Sequence, residues 1–456
     1  MPSSSPPSLQ QFRLEPIRDG FVRLVFDMPD RSMNVFSNAA IGEIEAVANW
    51  LPKSGLEGVL VVSGKSSAFC AGADLGELGQ AYGMIMDAPQ HQRTDLAARH
   101  FSPLGRAFRK LETAGVPVAV ALAGLALGGG GELAMAGHYR VMTNNAVFGL
   151  PETLVGLFPG AGGTQRLPRL VGLEQSLPVL LHGARFTAEQ ALECGLADAV
   201  VAPGEEEAHA LAWLETGPEP RQPWDRKAHV PASAAAVRAA LAPWRGQVLN
   251  GSAAHQPAMI ATLDCIEKGL GLPMDGGIAA ELAQFSVLIQ RPEPRDMIRT
   301  LFQGRTEYDK RRKVGSLPAL LDDVVKAVTD ALGSAAHVAG ARQTAAALKV
   351  AGFDKPVEPR ERPQPDPGAL PATPAVESGL WFEAPLTEAQ ILGARLIGVA
   401  ATAVAPHANQ LDDSDKRVID LAILRETGFP AYLGGPFALI DNLGGEGVRK
   451  LVSCAK

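Results

Sequence analysis

The hydrophobic and polar positions change rhythm about halfway along the chain. From about residue 10 to 205, short runs rich in β-branched and aromatic residues, such as "FVRLVFDM", "GVLVVSG", "PVAVALAG" and "YRVMTN", alternate with longer stretches of helical period. That alternation predicts an α/β domain built from repeated strand and helix units. Within it, "NAAIGEIEAVANWL" puts Ile41, Ile44, Val47 and Leu51 on one helical face, and "TAEQALECGLAD" predicts a helix capped by Thr187 and closed near Gly195. Beyond residue 206 the strand pattern fades. The expected organisation is an α/β domain over 10–205, a helical extension over 206–312 and a helical segment over 313–353. A linker follows over 354–379, where the density of proline forbids continuous helix, and then a small helical domain over 380–456.

Composition narrows this picture. A chain of 456 residues has room for about three domains. Its formal net charge of −7 argues against nucleic acid or an anionic membrane as a main partner. The start, "MPSSSPPSLQQF", lacks a basic segment followed by an apolar run, and no uninterrupted apolar stretch of about 18 residues is apparent. A cytoplasmic protein with no membrane span is expected. Cys70, Cys194, Cys265 and Cys454 are scattered without a C-x-x-C pair, which suits reduced, buried thiols rather than a disulfide framework or a metal site.

The chemistry-bearing segment is "LALGGGGELAM", residues 125–135. No lysine follows the glycines where a phosphate-binding loop requires one, and the G-x-G-x-x-G pattern is also missing. Bare backbone between a strand and a helix has another use. A ligand oxygen can approach the helix's first N–H groups closely, and the positive end of the helix dipole favours developing negative charge. This is the anatomy of an oxyanion hole. Taken alone, the run also fits a packing turn, with Glu132 complementing the dipole. Two further segments bear on the choice: "SSAFCAGADLGEL", a second small-residue loop after a strand, and "VFGLPETLVGLFPGAGGTQRLPRLVG", which carries Glu152. His138, in "AGHYRV", is read as a packing residue.

The ordered set A-G-A-D, G-G-G-x-E-L and F-G-x-P-E…P-G-x-G-G-T-Q-R-L resembles the crotonase (enoyl-CoA hydratase/isomerase) superfamily over about residues 15–205. It is most similar to the hydratase half of multifunctional fatty-acid oxidation enzymes. The resemblance implies a spiral of ββα units and an acyl-CoA thioester substrate, with no metal and no redox cofactor. It assigns backbone N–H groups of Ala73 and Gly129 to the thioester oxygen. It sets Ala71, Gly72, Asp74, Gly128 and Gly130 along the substrate and its coenzyme A, Asp74 being read mainly as a tie for its own loop. Glu132 is then expected to hold and activate a water, and Glu152 to protonate the α-carbon. Two neighbouring carboxylates repel, so one should hold a proton near neutral pH. The implied activity is hydration of trans-2-enoyl-CoA in β-oxidation. The rivals are a Δ3,Δ2-enoyl-CoA isomerase, for which the Glu152 position alone suffices, and a non-catalytic acyl-CoA-binding or scaffold subunit.

Farther on, "MIRTLFQGRTEYDKRRKVG" looks like the junction that leads into an NAD-binding dehydrogenase domain in those multifunctional enzymes. No G-x-G-x-x-G after a strand follows Lys313. Yet "VIDLAILRETGFPAYLGGPFALIDNLGG" resembles the helical C-terminal domain of 3-hydroxyacyl-CoA dehydrogenases. That suggests packing against the hydratase region, homo-oligomerisation, or docking of a separate dehydrogenase subunit.

Overall fold

A computed structural model describes residues 5–250, 256–370 and 387–453. Cys454 and the stretch 371–386, which holds the end of the expected linker and the start of the expected last domain, lie outside the described residues. The chain divides into two units, Met1–Pro243 with Ala258–Gln290, and Trp244–Pro257 with Arg291–Lys456. This differs from the division expected at 205, 312 and 353. Two helices of the expected extension, Pro257–Gly269 and Met274–Leu288, fold into the first unit, and their apolar faces supply Leu263, Ile266 and Phe285 to its interior.

In the first unit, β1 (Phe12–Arg18) and β2 (Phe21–Phe26) form an antiparallel hairpin. The following strands are β3 (Gly58–Ser63), β4 (Ala68–Cys70), β5 (Val118–Leu122), β6 (Leu125–Leu127), β7 (Tyr139–Thr143), β8 (Val147–Gly149), β9 (Arg185–Thr187) and β10 (Ala199–Val201). From β3 to β8 successive strands alternate between two sheets. One sheet has the order β1-β2-β3-β5-β7-β10 and the other β4-β6-β8-β9. A helix follows each of the pairs β3–β4, β5–β6 and β7–β8, so the chain winds as the ββα spiral expected of a crotonase-type α/β fold. β3 and β5 are nearly continuous apolar runs, as parallel strands covered on both faces must be.

The spiral sets the positions of the loops. β4, β6 and β8 are parallel neighbours, so their C-terminal ends emerge on one side. The segments that follow them begin at Ala71, Gly128 and Leu150, and these carry the three motifs singled out in the sequence.

The second unit is helical. Leu321–Ala339, Ala341–Ala351, Glu388–Val404, Asp413–Thr427 and Pro436–Ser453 close around a core that includes Val328, Leu332, Ile397, Ile423, Phe429 and Phe437. The segments expected on either side of the linker thus share one core. The described part of that linker lies against Leu321–Ala339, where Arg360 N–H donates to the Gly333 carbonyl and Ser334 Oγ to the Arg362 carbonyl. The stretch Glu388–Gln410 is long and apolar enough to cross a membrane by length and composition, with a mean hydropathy of 1.4. About two thirds of its most apolar window is buried, which marks a core helix.

Candidate functional site

Two backbone amides near the glycine run, those of Gly129 and Ala73, lack a partner within their own elements. Gly128, at φ 54° and ψ −126°, turns the chain out of β6, and Gly129 opens the helix Gly129–Ala136. As first helical residue, Gly129 has no acceptor for its N–H within the helix. On the neighbouring loop, Phe36 donates its N–H to the Gly72 carbonyl and accepts from Asp74 N–H. In such a parallel bridge the intervening residue's N–H points away, and that residue is Ala73. The two loops touch. Gly72, at φ 101°, lies so close that a Cβ there would sit 3.3 Å from the Leu127 carbonyl oxygen and 3.8 Å from the Gly129 nitrogen. The run also needs bare backbone for packing, since a Cβ on Gly130 would lie 2.7 Å from both the Cβ and the carbonyl oxygen of Cys70.

Asn34 holds the first of these loops, and sequence reasoning missed it. Fully buried, it donates through Nδ2 to the carbonyls of Phe26 and Phe69 and accepts Met28 N–H on Oδ1, while its own carbonyl accepts Ala71 N–H. Asp74 ties its loop in the way expected. It caps the helix Leu75–Asp87 by accepting from Gly76 and Glu77 N–H, and it pairs with Arg31 at 2.9 Å.

Glu132 lies in the first turn of the glycine-led helix and is 3 % exposed. Its Oε1 accepts N–H groups from Ala161 and Gly163, both at 2.8 Å. Burial raises its pKa, against the lowering effect of those two amides and of Arg166. Glu152 begins the 3₁₀ turn after β8, and its Oε1 abuts Gly128, 3.0 Å from where a Cβ would be. Its Oε2 is buried with no hydrogen-bond partner among the described residues. Burial first, and then the charge of Glu132, push the Glu152 pKa well above the usual carboxylate range. So the two glutamates expected to work together do feel each other's charge, and one of them is biased towards the protonated form.

Around them runs a buried ion network. Arg166, fully buried, donates to Glu112 at 2.6 Å and to the Ala161 carbonyl at 2.7 Å. Arg109 links Glu112 to Asp225. A third glutamate joins the site from far along the chain. Glu281, 1 % exposed on the helix Met274–Leu288, accepts from Gly162 N–H at 2.5 Å, Thr164 N–H at 3.0 Å and Thr164 Oγ1 at 2.5 Å. No motif marks it in "GGIAAELAQF", where it reads as an ordinary polar position on a helix.

His138 is engaged on both nitrogens. Val118 N–H donates to Nδ1, Nε2 meets the Glu112 carbonyl, and burial pushes its pKa down to about 4. It is a neutral packing residue at physiological pH. Cys70, Cys194 and Cys265 are free thiols, and burial pushes Cys70 up to about 12.

The ββα spiral thus brings a glycine-led helix start and two buried glutamates to one place. Residues 19–238 match the family model described as enoyl-CoA hydratase/isomerase. The chain is 33 % identical over 312 residues to the fatty acid oxidation complex subunit alpha of Shewanella amazonensis, covering 67 % of this chain and 42 % of that protein. The subunit of the same name from Pseudomonas syringae pv. syringae is 32 % identical over 305 residues, 65 % of this chain and 41 % of the relative. The chain thus spans less than half the length of the curated relatives it matches. Among solved structures, an enoyl-CoA hydratase from Bacillus halodurans aligns with a TM-score of 0.45 at 18 % identity, covering 63 % of this chain and 98 % of that one. DspI from Pseudomonas aeruginosa aligns with a TM-score of 0.41 at 28 % identity, covering 48 % and 85 %.

Proposed function

We propose that the chain is an enoyl-CoA hydratase that converts trans-2-enoyl-CoA to 3-hydroxyacyl-CoA. The observation that carries this reading is the contrast between the two glutamates. Glu132 is fixed on one oxygen by two amides, while Glu152 offers a buried oxygen with no partner among the described residues. The thioester carbonyl accepts from Ala73 and Gly129 N–H, and Ala71, Gly72, Gly128 and Gly130 line its approach. Glu132 takes a proton from water as the water oxygen bonds to the β-carbon and the π electrons move to the thioester oxygen. Protonated Glu152 then delivers its proton to the α-carbon as the carbonyl re-forms. A proton passing from Glu132 to Glu152 restores the site, so the net change is addition of one water. Each amide donor contributes about 3 kcal/mol to the enolate-like transition state.

The thioester is the substrate, and the scheme uses neither metal nor redox cofactor. The cytoplasm, where acyl-CoA is available, is the proposed location. We assign the second unit to homo-oligomer contacts or to docking of a separate dehydrogenase subunit, in keeping with the complex-subunit names of the relatives. The direct test is product analysis with enoyl-CoA substrates of several chain lengths. Glu132→Gln and Glu152→Gln should each collapse hydration, and the mechanism is wrong if both leave it unchanged. A Glu132→Gln variant that loses hydration but still moves a Δ3 double bond to Δ2 would assign the site to the isomerase reaction. Binding of a thioester without product would make the chain a binding subunit.

A further inference from the structure

Four consecutive amides in "AGGT", residues 161–164, are divided alternately between two carboxylates. Ala161 and Gly163 N–H donate to Glu132, whereas Gly162 and Thr164 N–H donate to Glu281. The segment has little freedom to do otherwise. Gly162 sits at φ 102°, a conformation that favours glycine, and a Cβ there would run into the Arg166 guanidinium. A Cβ on Gly163 would lie 2.9 Å from Glu132 Oε1.

We propose that Glu281 is a positioning residue for the hydration reaction: it anchors the alternate amides of 161–164 so that the remaining two hold the Glu132 carboxylate in its reacting orientation. The inference rests on the hydratase reading for its kinetic consequence and on geometry for its structural one. Its reach is long in sequence, 149 positions from Glu132, since the helix Met274–Leu288 is what delivers it.

The groups facing Glu281 come from every element around it. They are Glu132 and Glu152, Arg166 and Arg169 from the helix Gly163–His182, and the Cys265 thiol, which meets Thr164 Oγ1 at 3.1 Å. Burial and the neighbouring Glu132 push Glu281 up to about 8, so the three carboxyls titrate as a coupled set.

The test is Glu281→Gln in the full chain. It should lower kcat about 10- to 100-fold through misorientation of Glu132. KM should stay nearly constant, because the amides of Ala73 and Gly129 are untouched. Removing one ionisable member of the set should also move the alkaline limb of the kcat profile to lower pH, by about one unit. A folded variant with wild-type kcat and pH profile overturns the proposal. If Glu281→Gln does not fold, Thr164→Val decides: a kcat loss with constant KM and the same direction of pH shift supports it, and unchanged kinetics overturns it. If the wild-type protein turns over no enoyl-CoA at all, the hydratase reading fails by itself. The positioning inference is then read from the ¹³C carboxyl titration of Glu132, identified by its loss in Glu132→Gln. A Glu132 resonance that titrates differently in Glu281→Gln keeps the inference, and one that does not move ends it.

Discussion

Both units bury carboxylates, but they treat them differently. In the second unit Asp420 is fully buried, and its oxygens accept Phe437 N–H at 2.9 Å, Ala438 N–H at 3.2 Å and Arg299 at 3.1 Å. It caps the helix Pro436–Ser453 from a neighbouring helix, and Gly435, at φ 111°, leaves room for it. In the first unit Glu152 has a buried oxygen that no group among the described residues satisfies. Burial raises the pKa of both, Asp420 to about 7 and Glu152 well above its usual range. The direction of a pKa shift therefore does not separate a structural acid from a reactive one. The inventory of donors tells the two apart: both Asp420 oxygens are already bonded, whereas one Glu152 oxygen is left without a donor among the described residues, which supports the reactive role proposed for it.

The sharpest way to break this comparison is to neutralise each acid. Glu152→Gln should lower kcat about 10³- to 10⁴-fold, as loss of a general acid does, and leave thermal stability close to wild type, since the removed oxygen bonded to nothing. Asp420→Ala should do the reverse. It strips a buried helix start and Arg299 of their partner and should cost about 3 kcal/mol, read as a lower denaturation midpoint with hydratase turnover per folded molecule preserved. A Glu152→Gln protein that melts far below wild type would erase the distinction.

A second effect follows from pH. Asp420 has a folded-state pKa raised from 3.8 to about 7, so the folded protein binds the proton more tightly than the unfolded chain does. Its contribution is complete below about pH 4 and is lost as pH rises through 7. The stability difference between wild type and Asp420→Asn, which does not titrate, should thus be most favourable to wild type near pH 4 and shrink towards pH 8. Denaturant midpoints of both proteins across that range check it, and a difference that grows with pH would reverse the assigned sign.

The sequence was most readable where strand ends and glycines coincide. "AGAD", "GGGGEL" and "FGLPE" mark the exits of β4, β6 and β8, and parallel pairing of those strands is enough to gather them. Glu281 and Asn34 were not readable, because their roles come from tertiary placement with no local signature. A lone glutamate in "GGIAAELAQF" becomes a site residue only when its helix docks, and that docking also moves the domain boundary from about 205 to about 290. Proline density in 354–370 correctly excluded helix for most of that stretch. It could not reveal that the segment lies along Leu321–Ala339, since backbone carbonyls such as those of Gly333 and Arg362 leave no trace in side-chain pattern.

Gly130 tests whether the glycine run is a cradle or only a packing turn. Its neighbour across the gap is Cys70, at the end of β4, whose Cβ and carbonyl oxygen would both lie 2.7 Å from an added Cβ. Backbone cannot yield as a flexible side chain can, so Gly130→Ala must push the helix Gly129–Ala136 away from β4 at a cost of about 2 kcal/mol. That displacement carries the Gly129 N–H away from Ala73, and it carries Glu132 with it. The cradle reading therefore predicts a rise in KM together with a fall in kcat, larger than the stability loss alone produces, when rates are normalised to folded protein. If the normalised rates match wild type, the four glycines serve strand-to-helix packing, and the amide of Gly129 has no part in holding the thioester.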